Sequence, residues 1–413
     1  MISKYIPRTG NAWTVAALGF SISLLSGRAV FAQANAEITP FKYQAPQSVL
    51  DDLKARLKRT RWPERETVKD WSQGVPLAKL QALINYWQTD YDWRRCEAKL
   101  NSFPQYRTKI DGLNIHFLHV RSKHENALPI LITHGWPGSV LDFVKIIDPL
   151  TNPTAHGGRA EDAFHVVAPS LPGFGFSDKP AERGWNNARI ARASSELMRR
   201  LGYKRYVAQG GDWGAFITTA MAQQRPPGLA GIHLNFPLVL PNPIPTKDLS
   251  AAERKALDAV KRFQTQDSGY LVLQTTRPQT IGFALADSPA GQAAWIYDIF
   301  KVATDNNGDP ESALTRDEIL DDITLYWLTD TAASSARLYF ENAGGSFNAG
   351  IVEIPVGYSV FPRELYCPPR RWAERVYPKL IHWNELDRGG HFAAFEQPAL
   401  FTKELRDCFR SLR

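Results

Sequence analysis

Cysteine is scarce in this sequence: Cys96, Cys367 and Cys408 are the only three among 413 residues. Three scattered cysteines cannot form a disulfide scaffold, and their spacing matches no structural zinc motif. Glycine and proline, at 28 residues each, are too few for a collagenous or low-complexity chain. The hydrophobic fraction of 44% excludes a disordered chain and predicts a large packed core.

Acidic residues are missing from the first 34 positions, which carry Lys4, Arg8 and Arg28. Removing these three cations lowers the formal net charge from +7 to +4. The remaining basic residues alternate with acidic ones and form no stripe, so nucleic acid is not expected as a partner.

The same N-terminal segment has the features of an export signal. Lys4 and Arg8 precede a mostly apolar stretch over residues 12–25, and Ala-Gln-Ala at 32–34 fits a signal peptidase site. The apolar stretch is shorter than the ~20 residues of a membrane-spanning helix. We therefore expect a signal peptide over residues 1–34, cleaved near Ala34, and a secreted or periplasmic protein. A retained N-terminal membrane anchor is the alternative.

Beyond this leader, apolar residues recur at helical spacing after Ser48 and over residues 76–93. Two segments with alternating polarity, residues 106–110 and 114–120, flank Asp-Gly at 111–112. That dipeptide between alternating segments predicts a β-hairpin.

Further along the chain, short apolar runs alternate with helical patterns, which is typical of βαβ units and a parallel sheet. Strand patterns then vanish for about a hundred residues, and helical patterns take their place. The sequence thus predicts an α/β fold with a mostly parallel sheet flanked by helices and a helical lid insertion. The expected segments are an N-terminal meander (35–105), the first part of the core (106–236), the lid (237–340) and the second part of the core (341–413). The apolar runs lie at 130–133, 164–168, 206–209, 231–235, 359–361 and 380–383.

Residues 210–214, Gly-Gly-Asp-Trp-Gly, follow one predicted strand and precede a helix of small residues. This is the strand–turn–helix context of the nucleophile elbow G-x-S-x-G, with Asp212 in place of serine. The glycines two before and two after Asp212 permit the tight turn. A carboxylate is already anionic and can displace a leaving group from saturated carbon, so an alkyl electrophile is the expected substrate. Taken alone, Asp212 could equally be a helix N-cap.

Attack by Asp212 would leave an ester on the protein, so the oxyanion formed during its hydrolysis would also belong to the protein. Two backbone N–H groups are candidates to stabilise that oxyanion. One is that of Trp213, directly after the nucleophile. The other is that of Trp136 in His-Gly-Trp-Pro-Gly-Ser (134–139), since Pro137 has no N–H. Taken alone, residues 134–139 would indicate only a Gly-Pro turn.

A base and an orienting acid complete the pattern. His391, in Arg-Gly-Gly-His-Phe, lies beyond the last predicted strand and comes last in the order nucleophile, acid, histidine. As a general base it needs a carboxylate to orient its ring. Glu364 follows the preceding strand and is the expected acid, although an ion pair with a nearby arginine would also explain it. Its competitors, less favourably placed, are Glu341, Glu385 and Asp387.

These segments together resemble an epoxide hydrolase of the α/β-hydrolase superfamily, of the microsomal and juvenile-hormone type. The resemblance covers nearly all of the chain after the leader, including Leu-Lys-Arg-Thr-Arg-Trp-Pro at 57–63 and Gly-Phe-Gly-Phe-Ser at 173–177. It implies that Asp212 is the nucleophile, His391 the base and Glu364 the orienting acid.

The resemblance further implies two lid tyrosines that hold and protonate the epoxide oxygen. The matching positions are Tyr270 and Tyr339, with Tyr326 as the alternative to Tyr339. A phenol suits this role because it can hydrogen-bond the departing alkoxide and then give up its proton. Trp136 and Trp213 would line the substrate site beside these tyrosines.

The expected reaction converts a lipophilic epoxide and water to a vicinal diol, without a cofactor or a metal. A homodimer is compatible with the sequence. A haloalkane dehalogenase with the same Asp nucleophile is the nearest alternative, but a departing halide needs no proton, so the tyrosines favour the epoxide. The second alternative is a non-catalytic binding protein with this fold. The complete set of nucleophile, acid and base makes this alternative less favoured.

Overall fold

The structure is a computed structural model that describes residues 37–236, 239–344 and 350–413. The predicted signal peptide, residues 1–34, lies outside the described residues. Within them, nine strands form one sheet in the order β1-β2-β3-β5-β4-β6-β7-β8-β9. The strands are β1 Ile38–Phe41, β2 Gln105–Ile110, β3 Leu113–Val120, β4 Leu128–Thr133, β5 Phe164–Pro169, β6 Tyr206–Gly210, β7 Leu229–Leu234, β8 Val356–Val360 and β9 Leu380–Glu385.

One end of the sheet is antiparallel and the rest is parallel. The pairs β1–β2, β2–β3 and β3–β5 are antiparallel, whereas β5, β4, β6, β7, β8 and β9 run parallel. Every residue of β5 and β6 is buried, as expected for parallel strands covered on both faces. The predicted α/β class with a mostly parallel sheet is confirmed.

The predicted hairpin joins β2 to β3. Ile110 pairs with Leu113, which leaves a two-residue turn of Asp111 and Gly112. Both turn residues have positive φ, 51° and 91°, as a type I′ turn requires. The sequence pattern did not predict β1, Ile38–Phe41, which pairs with β2 and extends the sheet by one strand.

The helices of the described residues alternate with the strands and also fill the insertion between β7 and β8. None of them combines the length and the apolarity that crossing a bilayer would require. They are α1 Gln47–Lys58, α2 Leu77–Thr89, α3 Trp93–Asn101, α4 Ile147–Thr151, α5 Asn187–Arg200, α6 Trp213–Gln224, α7 Ala251–Arg262, α8 Gly269–Thr276, α9 Pro278–Asp287, α10 Pro289–Ala303, α11 Arg316–Leu328, α12 Ala332–Glu341, α13 Arg370–Val376, α14 Ala393–Glu396 and α15 Pro398–Phe409.

A helix predicted from the apolar spacing over residues 76–93 is present but ends four residues early, at Thr89. A separate helix, α3, begins at Trp93. The side chain of Asp92 accepts a hydrogen bond from the backbone N–H of Arg94 and so caps the new helix. Apolar residues keep helical spacing across the break, which is why the periodicity did not reveal it.

The N-terminal helices hold the helical insertion, α7–α12, through its helix α11. The hydroxyl of Tyr86 donates to Asp317 at 2.9 Å, and that of Tyr91 donates to Asp321 at 2.7 Å. Arg95 forms an ion pair with Asp317 as well. One continuous cluster of buried apolar side chains extends from α1–α3 through the sheet to the insertion, so these polar contacts add to a shared core.

Candidate active site

The parallel strands bring the predicted site residues to one edge of the sheet. Trp136 follows β4, Asp212 follows β6, Glu364 follows β8 and His391 follows β9. The segments after β8 and β9 also pair with each other, since the backbone N–H of Arg363 donates to the carbonyl of Gly389 at 3.1 Å. Carboxyl ends of parallel strands are where α/β sheets place their ligands.

Asp212 sits at a sharp turn between β6 and α6. Its backbone has φ 47° and ψ −129°, a conformation that a residue with a side chain rarely adopts. The turn is tight enough to exclude side chains at its flanking glycines. A Cβ on Gly210 would lie 2.1 Å from the carbonyl oxygen of Gly214, and a Cβ on Gly214 would lie 2.0 Å from that of Thr133. The predicted strand–turn–helix elbow is therefore present.

One carboxylate oxygen of Asp212 is held by the backbone. The N–H of Trp136 donates to Oδ1 at 2.8 Å. Gly135 lets the loop come this close, because a Cβ there would lie 2.3 Å from Oδ1. Trp213 is the first residue of α6, so its N–H has no acceptor within that helix. The two predicted N–H groups thus flank Asp212, and that of Trp136 already contacts it.

The second carboxylate oxygen of Asp212 faces the histidine. Oδ2 lies 3.4 Å from Nε2 of His391, whose Nδ1 lies 2.8 Å from Oε1 of Glu364. The side chains of His391 and Glu364 are 5% and 1% exposed. The imidazole is therefore held between two carboxylates in a nearly dry environment.

Burial and charge act in opposite directions on His391. Burial lowers the pKa of the imidazole, but Glu364 and Asp212 outweigh burial and hold that pKa well above its ordinary value. The two carboxylates therefore favour the protonated form of His391 in the resting protein. Removing the negative charge of Asp212 would remove one of the two groups that stabilise it.

The other acidic candidates have other surroundings. Glu341 accepts a hydrogen bond from the backbone N–H of Gly184 at 2.7 Å. Glu385 accepts one from the indole of Trp383 at 3.1 Å, and Asp387 is exposed. Among the four carboxylates weighed from the sequence, Glu364 is the one in contact with His391.

Tyr270 and Tyr339 come from α8 and α12 of the insertion and meet above Asp212. The ring of Tyr270 stacks on that of Trp136 with centroids 5.2 Å apart, and the ring of Tyr339 meets that of Trp213 edge-on at 4.8 Å. Burial and the nearby Asp212 raise the pKa of Tyr270. Burial, Tyr270 and Asp212 raise that of Tyr339. Both phenols are therefore protonated and able to donate.

The hydroxyl groups of Tyr339 and Tyr326 differ in their partners. The hydroxyl of Tyr326 donates to the carbonyl of Gly138 at 3.0 Å. The buried hydroxyl of Tyr339 has no hydrogen-bond partner among the described residues. A buried donor without an acceptor is costly unless a ligand supplies one, so Tyr339 is the better placed of the two to contact a substrate.

A cavity of about 530 Å³ lies between the insertion and Asp212. Asp212 contributes the one ionisable carboxylate among the described residues that line it, and Tyr270 and Tyr339 contribute hydroxyls. The remaining walls are largely aromatic and aliphatic: Trp213, Phe216, Phe236, Leu240, Val260, Phe263, Leu271, Val272 and Leu365. We call this space the large cavity.

Comparisons with known proteins agree with this geometry. Residues 38–143 match the family described as epoxide hydrolase N terminus, and residues 129–275 match the alpha/beta hydrolase fold. A putative epoxide hydrolase of Stigmatella aurantiaca (strain DW4/3-1) is 71% identical over 376 residues, 91% of this chain and 86% of that protein. Epoxide hydrolase 1 of Sus scrofa is 39% identical over 399 residues, 89% of this chain and 88% of that protein. The chain belongs to the epoxide hydrolase family.

Solved structures of epoxide hydrolases have the same fold. The juvenile hormone epoxide hydrolase of the silkworm Bombyx mori superposes with a TM-score of 0.83 at 32% identity, covering 91% of this chain and 96% of that one. The Aspergillus niger epoxide hydrolase superposes with a TM-score of 0.82 at 31% identity, covering 92% of this chain and 97% of that one. The predicted resemblance and the predicted enzyme class are confirmed, and the dehalogenase and binding-protein alternatives are not favoured.

Some residues around the site of this epoxide hydrolase were not predicted from the sequence. Phe216 and Phe236 line the large cavity, and Phe263 lies at the junction of α7 with the following turn. Their apolar character alone could not separate a cavity wall from the core. In the described part of the chain, no group of His, Cys, Asp and Glu side chains is arranged to hold a metal ion.

Proposed function

We propose that this epoxide hydrolase converts lipophilic epoxides to vicinal diols through a covalent ester on Asp212. The observation that carries the proposal is that the two carboxylate oxygens of Asp212 have different contacts. Oδ1 accepts a hydrogen bond from the N–H of Trp136, whereas Oδ2 lies 3.4 Å from Nε2 of His391. Oδ2 is accordingly the oxygen that attacks the epoxide, and Oδ1 becomes the oxyanion in the second step.

Ring opening requires a proton donor at the leaving oxygen. Tyr270 and Tyr339 line the large cavity with Asp212, so an epoxide between them would meet a nucleophile on one side and phenols on the other. As Oδ2 bonds to carbon, the ring C–O bond breaks and the alkoxide takes a phenolic proton. Esterified Asp212 is neutral, so the pKa of His391 falls and the imidazolium can release the proton that replaces the one lost by tyrosine.

Ester hydrolysis then uses His391 as the base. Its Nε2 takes a proton from water while Glu364, hydrogen-bonded to Nδ1 at 2.8 Å, stabilises the imidazolium that forms. The backbone N–H groups of Trp136 and Trp213 hold the oxyanion of the tetrahedral intermediate. The diol leaves with the former Oδ2, and Asp212 regains its charge.

The walls of the large cavity support the assignment of the substrate class. A volume of about 530 Å³ lies within the range of small-molecule pockets, roughly 300–1,000 Å³. Mostly aromatic and aliphatic walls favour a substrate that is apolar apart from its epoxide oxygen. Asp212 would repel an anionic group placed at the reacting centre.

A single turnover in heavy-oxygen water tests the covalent route. With enzyme in excess over a neutral epoxide such as styrene oxide, we expect the label in the carboxylate of Asp212 and unlabelled oxygen in the diol. This follows because water attacks the carboxyl carbon and the substrate carbon keeps Oδ2. Mass spectrometry of the Asp212 peptide and of the diol measures both. Label found in the diol after that first turnover would mean that water attacks the epoxide directly.

The two tyrosines make a second prediction. Tyr270→Phe and Tyr339→Phe should each lower the rate of ester formation about 10- to 100-fold, because each removes one donor from the alkoxide while the other remains. Stopped-flow kinetics of ester formation measure this step. Tyr297→Phe is the matched control, since Tyr297 is buried in the same insertion but its hydroxyl donates to Glu311 at 3.2 Å. If all three variants form the ester at the wild-type rate, Tyr270 and Tyr339 are not the proton donors.

A further inference from the structure

Two cavities meet at Asp212, and they divide the proposed catalytic groups between them. The large cavity is lined by Tyr270 and Tyr339 but not by His391. A second cavity of about 40 Å³, which we call the small cavity, is lined by His391 but by neither tyrosine. Asp212 lines both. The groups for ring opening thus border one space and the base for hydrolysis borders the other.

Among the residues that line the small cavity, two carry buried side-chain oxygens that lack a hydrogen-bond partner in the described part of the chain. Oγ1 of Thr133 and Oε1 of Gln209 are buried and have no hydrogen-bond partner among the described residues, and both residues line the small cavity. The buried carboxyl of Asp142 lines it too, and burial raises the pKa of that group to about 7. Buried polar atoms without protein partners are normally satisfied by ordered water.

The size of the small cavity agrees with this. One water needs roughly 10–15 Å³ of such space, and the cavity offers about 40 Å³. The unpaired oxygens of Thr133 and Gln209 and the carboxyl of Asp142 are potential partners of a water there, and internal waters in proteins usually have two to four. An epoxide substrate is too large for the same space.

We propose that the small cavity stores the water that hydrolyses the Asp212 ester, and that Thr133 and Gln209 are positioning residues for it. This rests on the proposed function. From the small cavity, the water oxygen bonds to Cγ of the esterified Asp212 while one of its protons passes to Nε2 of His391. The intermediate then breaks the bond between Cγ and the diol oxygen. Its remaining hydroxyl proton moves to that oxygen, which leaves a diol, the Asp212 carboxylate and an imidazolium.

A separate site for the water is needed because an apolar substrate displaces water from the large cavity. A lipophilic substrate that fills the large cavity expels water from it. Hydrolysis of the ester nevertheless needs one water at the carboxyl carbon of Asp212. A water held in the small cavity is already beside Asp212 and His391 when the ester forms. It need not pass the bound alkyl group.

Replacing the Thr133 hydroxyl tests the inference. Thr133→Val keeps the side-chain volume and removes the hydroxyl, so we expect hydrolysis of the ester to slow about tenfold while its formation is unchanged. In steady state, kcat and KM should fall together and kcat/KM should stay constant. Thr133→Ser, which keeps the hydroxyl, should restore the rate of hydrolysis. Rapid-quench mass analysis of the ester on Asp212 resolves the two steps.

Thr219→Val is the matched control. Thr219 also has a buried hydroxyl that no described residue hydrogen-bonds, but it lines neither cavity, so this change should leave both steps as in wild type. If Thr133→Val hydrolyses its ester as fast as Thr219→Val, the water store is refuted and the covalent route stands. If wild type itself forms no ester, the proposed function fails instead, so the two failures are distinct.

Discussion

Replacing His391 by glutamine is expected to stop the enzyme after its first chemical step. Asp212 can still attack the epoxide, because its charge and the Trp136 N–H contact do not depend on the imidazole. The ester then persists, since no base takes the proton of the attacking water, and its hydrolysis should slow about 10²- to 10⁴-fold. Intact-mass spectrometry should show protein that is heavier by the mass of one epoxide. Each protein molecule should consume one equivalent of epoxide in a burst.

His382→Gln is the matched control for that variant. Nε2 of His382 also contacts a buried glutamate, Glu404, at 2.7 Å, but neither residue lines either cavity at Asp212. This change should affect stability and leave turnover and the mass spectrum as in wild type. An inactive His391→Gln protein that never gains mass would show that Asp212 is not esterified.

Gly135→Ala should lose about 10²- to 10³-fold in kcat/KM, although it adds a single methyl group. The new Cβ would lie 2.3 Å from Oδ1 and 2.4 Å from Cβ of Asp212, so the loop must retreat and take the Trp136 N–H with it. Loss of one oxyanion donor typically costs that much. Steady-state kinetics with a thermal melt would separate this effect from unfolding.

Gly269→Ala provides the comparison for Gly135→Ala. Gly269 begins α8 beside Tyr270, yet a Cβ there would meet nothing within 4 Å. We expect activity close to that of wild type. Wild-type activity in Gly135→Ala as well would mean that the close approach of the loop to Asp212 is not needed.

The parallel sheet could be predicted from the sequence because its signals are local. Buried parallel strands form continuous apolar runs, and the run 206–209 appears as the fully buried β6, Tyr206–Gly210. Asp212 and His391 were found in the same way, since each follows such a run and is flanked by glycine. Glu364 was then chosen among four carboxylates because it follows a predicted strand and lies between the nucleophile and the histidine in the chain.

The rest could not be predicted because it depends on contacts between distant segments. Tyr326 and Tyr339 are both buried aromatic residues on helices, and tertiary contacts separate them. Tyr326 donates to the carbonyl of Gly138, whereas Tyr339 lines the large cavity. The small cavity brings Thr133, Gln209 and His391 together from three separate parts of the chain. No periodicity or motif indicates that two buried oxygens will lack partners.

The backbone at Asp212 has a consequence for how this enzyme can change. A positive φ at a non-glycine residue costs on the order of 1–3 kcal/mol, and glycine would adopt the same turn freely. The turn therefore holds the reacting carboxylate at the expense of backbone stability. Because a glycine at this position would relieve the strain but remove the proposed nucleophile, substitutions that raise thermostability have to be sought away from the elbow.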